Sequence, residues 1–177
     1  AGLPAALFFL SCPVLVVTVT RVHISLARCF YTAAALLAVL EWARRFPDRE
    51  EETSDGPGGW LLLAGISCGL AVAVKYPALL MLCLPVGVFV LVAGLMMGGG
   101  WRERVRPAFL LTSLAVLAVS PWLIRNMVNT GNPFFPLLYD LFGGTGWPAD
   151  QAAKFATAHA PPSFVPGTVL RDLWQFA

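Results

Sequence analysis

Charged residues are scarce in this sequence, since lysine, arginine, aspartate and glutamate make up only 12% of its 177 residues. A soluble globular domain carries about 25% charged residues, so the composition excludes an ordinary soluble domain. The net charge of +2 is too small to favour nucleic-acid binding. Hydrophobic residues make up 58% of the chain and the mean hydropathy is +0.72, which indicates a membrane protein.

Several motifs of metal binding and nucleotide binding are also missing. The cysteines lie in or beside apolar runs without CxxC or Cys/His spacing, so we interpret them as packing residues and predict no metal site. The glycine-rich stretch at residues 143–147 has neither the GxxxxGK[ST] pattern of a P-loop nor a Rossmann glycine pattern. The cysteines are Cys12, Cys29, Cys68 and Cys83.

The chain begins at Ala1 inside an apolar run, with no basic segment before it. Such a start does not match a signal peptide, which has a positively charged region ahead of its apolar stretch. We therefore expect the sequence to be an internal piece of a longer protein, cut at both ends.

Five apolar runs, at residues 3–20, 26–42, 60–74, 77–97 and 107–124, have the composition of membrane spans. A bilayer core needs roughly 20 apolar residues in a helix. We therefore predict an all-α fold, a polytopic transmembrane helical bundle of about five spans. It forms one partial transmembrane domain over residues 1–177, with an outer loop at 125–177. In the third span, Gly65 and Gly69 form a small-xxx-small pair that allows close helix contact.

Basic residues are concentrated in two of the loops between these runs, at residues 44–59 and 98–106. Loops rich in arginine and lysine tend to stay in the cytoplasm. Two spans separate the loops, so both can lie inside, and we predict a multi-pass protein of the cell inner (plasma) membrane. The basic residues are Arg44, Arg45 and Arg49 in the first loop and Arg102, Arg104 and Arg106 in the second.

Lys75 and Arg125 each follow an apolar run on the opposite, outer side, where basic residues are normally scarce. One interpretation is that Lys75 extends to the headgroups and that Arg125 anchors the interface beside Trp122. The other is that both bind an anionic group, because a guanidinium can hold a phosphate through two parallel hydrogen bonds. Tyr76 and Asn126 add neutral hydrogen-bond donors beside them.

Other polar residues on the outer side are less specific. Arg28 lies one turn into the second span, where it could extend back to the surface or face a polar cavity. Arg21 and His23 lie in the first outer turn, where a lone histidine is more often solvated than a base. Residues 137–142 are predicted to form a short helix lying on the membrane, ended by the glycines of 143–147.

Two stretches resemble a known family. GLAVAVKYPAL at residues 69–79 carries Lys75-Tyr76, and SPWLIRNMVNTGNPFFPLLYDLFGGTGW at residues 120–147 carries Arg125-Asn126. With the two apolar runs between them, these stretches resemble bacterial membrane glycosyltransferases of the GT-C class. That class includes relatives of the protein mannosyltransferases and of the lipid A aminoarabinose transferase.

The resemblance implies a function. Such enzymes take a sugar from a polyprenyl-phosphate carrier on the outer leaflet and transfer it to a lipid, glycan or protein acceptor. It implies that Lys75 and Arg125 hold the carrier phosphate, and we expect Tyr76 and Asn126 beside them to add hydrogen bonds to it. The expected partners are membrane lipid, the lipid-linked sugar and the acceptor, with no nucleic acid and no cofactor besides the donor.

The sequence also departs from the family pattern. In relatives an acidic residue of the first outer loop activates the acceptor, and its counterpart would lie upstream of Ala1. Ser25 stands where relatives often have an aspartate before a Leu-Ala pair. The catalytic base is therefore unknown, and we expect residues 1–177 alone to lack transferase activity.

Two alternatives remain open at this level. One is a transporter or flippase fragment, although such proteins place ionisable groups deep in the membrane, and these apolar runs have almost none there. The other is a non-catalytic structural membrane protein whose outer motifs are interface anchors. An acidic pair in an outer loop after one preceding span would favour the enzyme, and an upstream inverted repeat would favour transport.

The predicted topology can be tested by cysteine-accessibility labelling. In a background without native cysteines, a probe restricted to the outer side should label Asn129→Cys and not Pro47→Cys, because the arginine-rich loops are expected inside. Labelling at position 47 without labelling at position 129 would show that the orientation is wrong.

Overall fold

The computed structural model describes residues 24–45, 57–96 and 100–159. The predicted span at 3–20 lies outside these residues, as do Arg21 and His23. Every regular element in the described ranges is helical, which confirms the all-α membrane fold. The elements are α1 (Ile24–Arg45), α2 (Pro57–Val74), a π-helical turn (Leu79–Cys83), α3 (Leu84–Leu95), α4 (Trp101–Thr130), α5 (Tyr139–Phe142) and α6 (Ala149–His159).

Two of the described helices are long and apolar enough to cross a membrane, Leu26–Arg45 and Trp101–Thr130. The apolar helices Gly58–Val74 and Leu79–Leu95 are shorter. Only 17% of the apolar window of α4 is buried, whereas a core helix of a soluble protein would be mostly buried. Phe109 on α4 is 73% exposed and Met81 in the π-helical turn is 79% exposed, as expected of side chains that face lipid.

Helix α4 extends beyond the predicted span 107–124 at both ends. The sequence predicts an inner loop at residues 98–106 and an outer loop from Arg125, but residues 101–106 and Arg125-Asn126 are helical. The helix continues because arginine and glutamate are good helix formers. Pro107 and Pro121 lie inside it, as membrane helices tolerate. It ends where Gly131 adopts a left-handed φ of 75°, a conformation that favours glycine.

The fourth predicted span, at 77–97, is not a uniform α-helix. It begins with the π-helical turn, in which the Leu84 amide donates to the Leu79 carbonyl five residues earlier. Pro85 follows at the start of α3 and has no amide hydrogen to donate. In a regular α-helix the proline ring would clash with the carbonyl four residues earlier, and the wider π-helical turn of Leu79–Cys83 includes that position.

The chain divides into two compact units, residues 1–122 and 123–177. In the first unit α1 and α2 pack antiparallel: Arg45 at the end of α1 lies 5.1 Å from the ring of Trp60 near the start of α2. Small side chains are among the buried residues of both helices, Ala35 and Ala38 on α1 and Ala64 and Ala71 on α2.

The glycine pair on α2 lies against α4. A Cβ atom at Gly65 would be 2.8 Å from the Leu114 Cβ and 2.9 Å from the Leu111 carbonyl oxygen. A Cβ atom at Gly69 would meet the carbonyl oxygen of Ala115 and lie 2.7 Å from the Ala118 Cβ. Any side chain at either position would therefore push the helices apart, so the small-xxx-small pattern is a packing site.

This packing gives a stability prediction. Gly69→Ala should lower the free energy of unfolding by about 1–3 kcal/mol, because the added methyl group overpacks a contact made by rigid backbone. The measurement is thermal unfolding of the purified protein in detergent. Gly87→Ala is the matched control, since nothing lies within 4 Å of a Cβ atom there. Equal melting temperatures for the two variants would contradict the packing role of Gly69.

Candidate functional site

Lys75 lies in a tight turn directly after α2. Its amide donates to the Ala71 carbonyl at 3.1 Å, and its carbonyl accepts from the Ala78 amide at 3.0 Å. Pro77 disfavours helical conformation in the residue before it, which explains why α2 ends at Val74. The hydrogen-bonded turn fixes the backbone, and the Lys75 side chain is exposed at the end of an apolar helix.

Tyr76, the next residue, joins this turn to α4. Its hydroxyl oxygen accepts a hydrogen bond from the indole Nε1 of Trp122 at 3.3 Å. Trp122 lies one turn of α4 beyond the glycine contact at Ala118, so the same helix packing brings it to Tyr76. The contact fixes the position of the phenol ring beside Lys75.

Arg125 and Asn126 lie in the second unit, within α4 and not at its end. This corrects the expectation that both Lys75 and Arg125 end their helices. The Arg125 side chain is exposed. Asn126 is only 7% exposed, and its Nδ2 donates to the carbonyl oxygens of Pro133 at 3.3 Å and Phe135 at 3.5 Å. Its amide therefore supports the following turn.

Of the four residues predicted to bind phosphate, two lie in each unit. Lys75 and Tyr76 form one rigid turn of the first unit, and Arg125 and Asn126 are adjacent on a helix of the second. Within the described ranges no three histidine, cysteine, aspartate or glutamate residues group in a way that could hold a metal ion.

Asn132 organises the segment after α4, a role that the sequence analysis did not predict. It is fully buried. Its Nδ2 donates to the Leu137 carbonyl at 2.8 Å and to the Gly143 carbonyl at 3.1 Å, while its Oδ1 accepts from the Phe134 amide at 2.9 Å. One amide side chain therefore satisfies three backbone groups. The Gly-Asn-Pro sequence signals this turn, because asparagine readily bonds to backbone two residues on.

An aromatic cluster closes the same segment. The ring of Trp147 lies 4.9 Å from that of Phe135 and 5.4 Å from that of Phe155, measured between centroids. The Tyr139 hydroxyl donates to the Trp147 carbonyl oxygen at 3.0 Å. Gly144 packs closely against this cluster, since a Cβ atom there would lie 3.0 Å from the Phe135 ring and 3.2 Å from the Tyr139 ring. The peptide bond between Phe135 and Pro136 is cis.

Two expectations for this segment need correction. The interfacial helix predicted at 137–142 is only the four residues of α5, because Leu138 adopts a left-handed φ of 55° and interrupts it. The outer loop predicted from residue 125 contains a further helix, α6. Its alanines favour helix formation, and Asp150 and Lys154 form an exposed ion pair at 3.4 Å one turn apart.

The fold defines the class of the protein as an all-α membrane helical protein, with exposed basic side chains next to apolar helices. The particular family follows from comparison with known sequences: the sequence profile of the dolichyl-phosphate-mannose-protein mannosyltransferase family matches residues 1–133. The match covers well over half of the chain, and the chain belongs to this family. Comparison with curated proteins and with solved structures gives no match.

Family membership confirms the resemblance to GT-C mannosyltransferases and supports a glycosyltransferase-like membrane protein. In general terms, it implies a lipid-linked sugar donor and an acceptor. The matched residues 1–133 include Lys75, Tyr76, Arg125 and Asn126.

Asn132 provides a second stability prediction. Asn132→Asp keeps the acceptor for the Phe134 amide but turns a carboxylate oxygen toward the carbonyls of Leu137 and Gly143. The change should destabilise the segment by about 3–5 kcal/mol, the cost of an uncompensated buried charge. Limited proteolysis in isolated membranes should show at least roughly tenfold faster cleavage within residues 131–147.

Asn129→Asp is the matched control, because Asn129 is exposed on α4 and gains no buried charge. An unchanged cleavage rate in Asn132→Asp, or an equal increase of the rate in both variants, would show that Asn132 does not organise this segment.

Proposed function

We propose that this chain is part of a membrane glycosyltransferase that moves a sugar from a polyprenyl-phosphate carrier to an acceptor on the outer face of the membrane. The observation that carries the proposal is Lys75, an exposed cation at the end of an apolar helix in a chain of the mannosyltransferase family. The proposed location is the inner (plasma) membrane, with the arginine-rich loops in the cytoplasm.

The position of Lys75 suits a lipid phosphate. The carrier has an apolar chain in the bilayer and a phosphate at its surface, so its binding site needs apolar helices with a cation where they end. Helix α2 has no charged residue between Pro57 and Val74, and Lys75 follows directly. Tyr76, held by Trp122, gives this turn a second polar side chain.

Arg125 is the second proposed phosphate ligand. Its planar guanidinium can bind two phosphate oxygens at once. The neighbouring Asn126 acts indirectly in this proposal, because its amide is bonded to the Pro133–Phe135 turn and so supports the helix that carries Arg125.

The proposed chemistry makes use of these cations. In the transfer, the bond between the sugar carbon and the carrier phosphate oxygen breaks, and a bond from the acceptor oxygen to that carbon forms. The acceptor proton passes to a base that this chain does not identify. Negative charge develops on the departing phosphate, so cations already in place stabilise the transition state.

Substitution of the two cations tests the proposal. Lys75→Ala and Arg125→Ala should each lower sugar transfer from a polyprenyl-phosphate donor by roughly tenfold to a hundredfold, because each removes a charge-assisted hydrogen bond of about 1.5–3 kcal/mol. Arg125→Lys should recover only part of the activity, since lysine lacks the planar fork. The assay uses the protein in its native membrane, with its level checked by immunoblot.

Arg102→Ala is the control, because it removes an exposed arginine at the other end of α4. Normal donor turnover in both Lys75→Ala and Arg125→Ala would contradict the proposed phosphate site. It would indicate that the two residues are interface anchors.

A further inference from the structure

Two clefts that are lined by described residues of the first unit differ in character. The larger, of about 570 Å³, lies between α2, α3 and α4 and has no charged residue in its lining. The smaller, of about 460 Å³, lies between α1 and residues 77–82, which follow Lys75-Tyr76 directly. We call this smaller cleft the Arg28 cleft, because among the described residues that line it Arg28 alone is charged.

Apart from Arg28, the described residues that line the Arg28 cleft are mostly apolar. Thr32, Ala33 and Leu36 lie along the α1 side, and Pro77, Met81 and Leu82 lie along the other. Residues 28 to 36 of a helix span about 12 Å, so the cleft extends along the helix away from Arg28. A ligand that fits this arrangement has an anionic group at one end and an apolar chain behind it.

Arg28 is an unusual residue for this position. It is half-buried and is the third residue of the apolar stretch Leu26–Arg45. No carboxylate among the described residues forms an ion pair with it; the ion pairs of α1 join Glu41 to Arg44 and Arg45 near the other end of the helix. Arg28 lies near the start of this stretch, and an ionisable residue within a membrane span usually marks a functional site.

The Arg28 cleft lies at the same end of the α1–α2 helix pair as the Lys75-Tyr76 turn. Because α1 and α2 are antiparallel, the start of α1 and the end of α2 lie together, while Arg45 and Trp60 meet at the other end. Pro77, which lines the cleft, is two residues after Lys75. A phosphate beside Arg28 is therefore near the turn that presents Lys75.

We propose that Arg28 is a further ligand of the carrier phosphate and that the Arg28 cleft holds the adjoining part of the polyprenyl chain. This inference rests on the proposed function, because it assigns the same lipid to the site. We assign the carrier and not an ordinary anionic phospholipid, because a cleft of about 460 Å³ with Arg28 in its lining suits one phosphate and part of one chain, whereas a phospholipid brings two chains.

Lipid binding to the purified protein in detergent tests the charge. The probes are a long-chain polyprenyl phosphate, the uncharged polyprenol of the same length, phosphatidylglycerol and inorganic phosphate, with affinity measured by native mass spectrometry. Arg28→Gln should weaken polyprenyl phosphate binding by roughly tenfold to a hundredfold and leave polyprenol binding unchanged. Arg28→Lys should lie between the wild type and Arg28→Gln.

Arg44→Gln is the matched control, because it removes a cation from the same helix at an exposed ion pair with Glu41. Its affinity for polyprenyl phosphate should equal that of the wild type, since exposed pairs contribute little.

The apolar part of the cleft needs its own variant. Ala33→Phe should fill the cleft and weaken binding of both polyprenyl phosphate and polyprenol, because Ala33 lines it. Ala27→Phe adds the same ring to the same helix at an exposed position outside the cleft lining, and it should bind both lipids normally. The exposed thiol of Cys29, which also lines the cleft, should be alkylated more slowly when polyprenyl phosphate is bound.

The outcomes separate this inference from the proposed function. If Lys75→Ala loses polyprenyl phosphate binding but Arg28→Gln keeps it, the carrier site stands and the role of Arg28 is overturned. If phosphatidylglycerol binds as tightly as polyprenyl phosphate, or inorganic phosphate alone shows the Arg28 effect, the assignment to the carrier is overturned. If the wild type binds no polyprenyl phosphate, both proposals fail.

Discussion

The close approach of α2 to α4 at Gly65 and Gly69 is the contact on which the rest of the first unit depends. Carbonyl oxygens of α4 occupy the space that side chains at these two positions would take. In lipid, apolar burial does not draw helices together, so van der Waals contact between close backbones must hold them. The same approach brings Trp122 to the hydroxyl of Tyr76 and so fixes the turn that carries Lys75.

Charge is confined to the ends of the helices in this unit because the bilayer interior excludes it. Arg28 lies near the start of α1 and Lys75 just after the end of α2, so antiparallel packing gathers both at one end of the helix pair. The side chains between the ends are mostly apolar, and many of them are exposed. Recognition of a lipid phosphate would then depend on a few cations at one end and on the shape of the apolar surface behind them.

The second unit meets a different constraint, since its backbone is irregular for several residues after α4. Near a membrane, backbone polar groups without a partner are costly, and Asn132 bonds to three of them. The side chain of Thr130 adds to this, accepting from the Asn132 amide at 3.2 Å and donating to the Asn126 carbonyl at 2.8 Å. The aromatic cluster around Trp147 then packs over the turn.

The sequence by itself determined the all-α membrane class, because long apolar runs with few charges have no other stable form in a bilayer. It also indicated the family and the residues Lys75 and Arg125 through local motifs. Only the tertiary structure decided that Gly65 and Gly69 face α4, that Arg28 lines a cleft with Pro77, and that Asn126 and Asn132 support a turn. These features depend on which helix faces meet, and a uniformly apolar helix has no periodic pattern to show that.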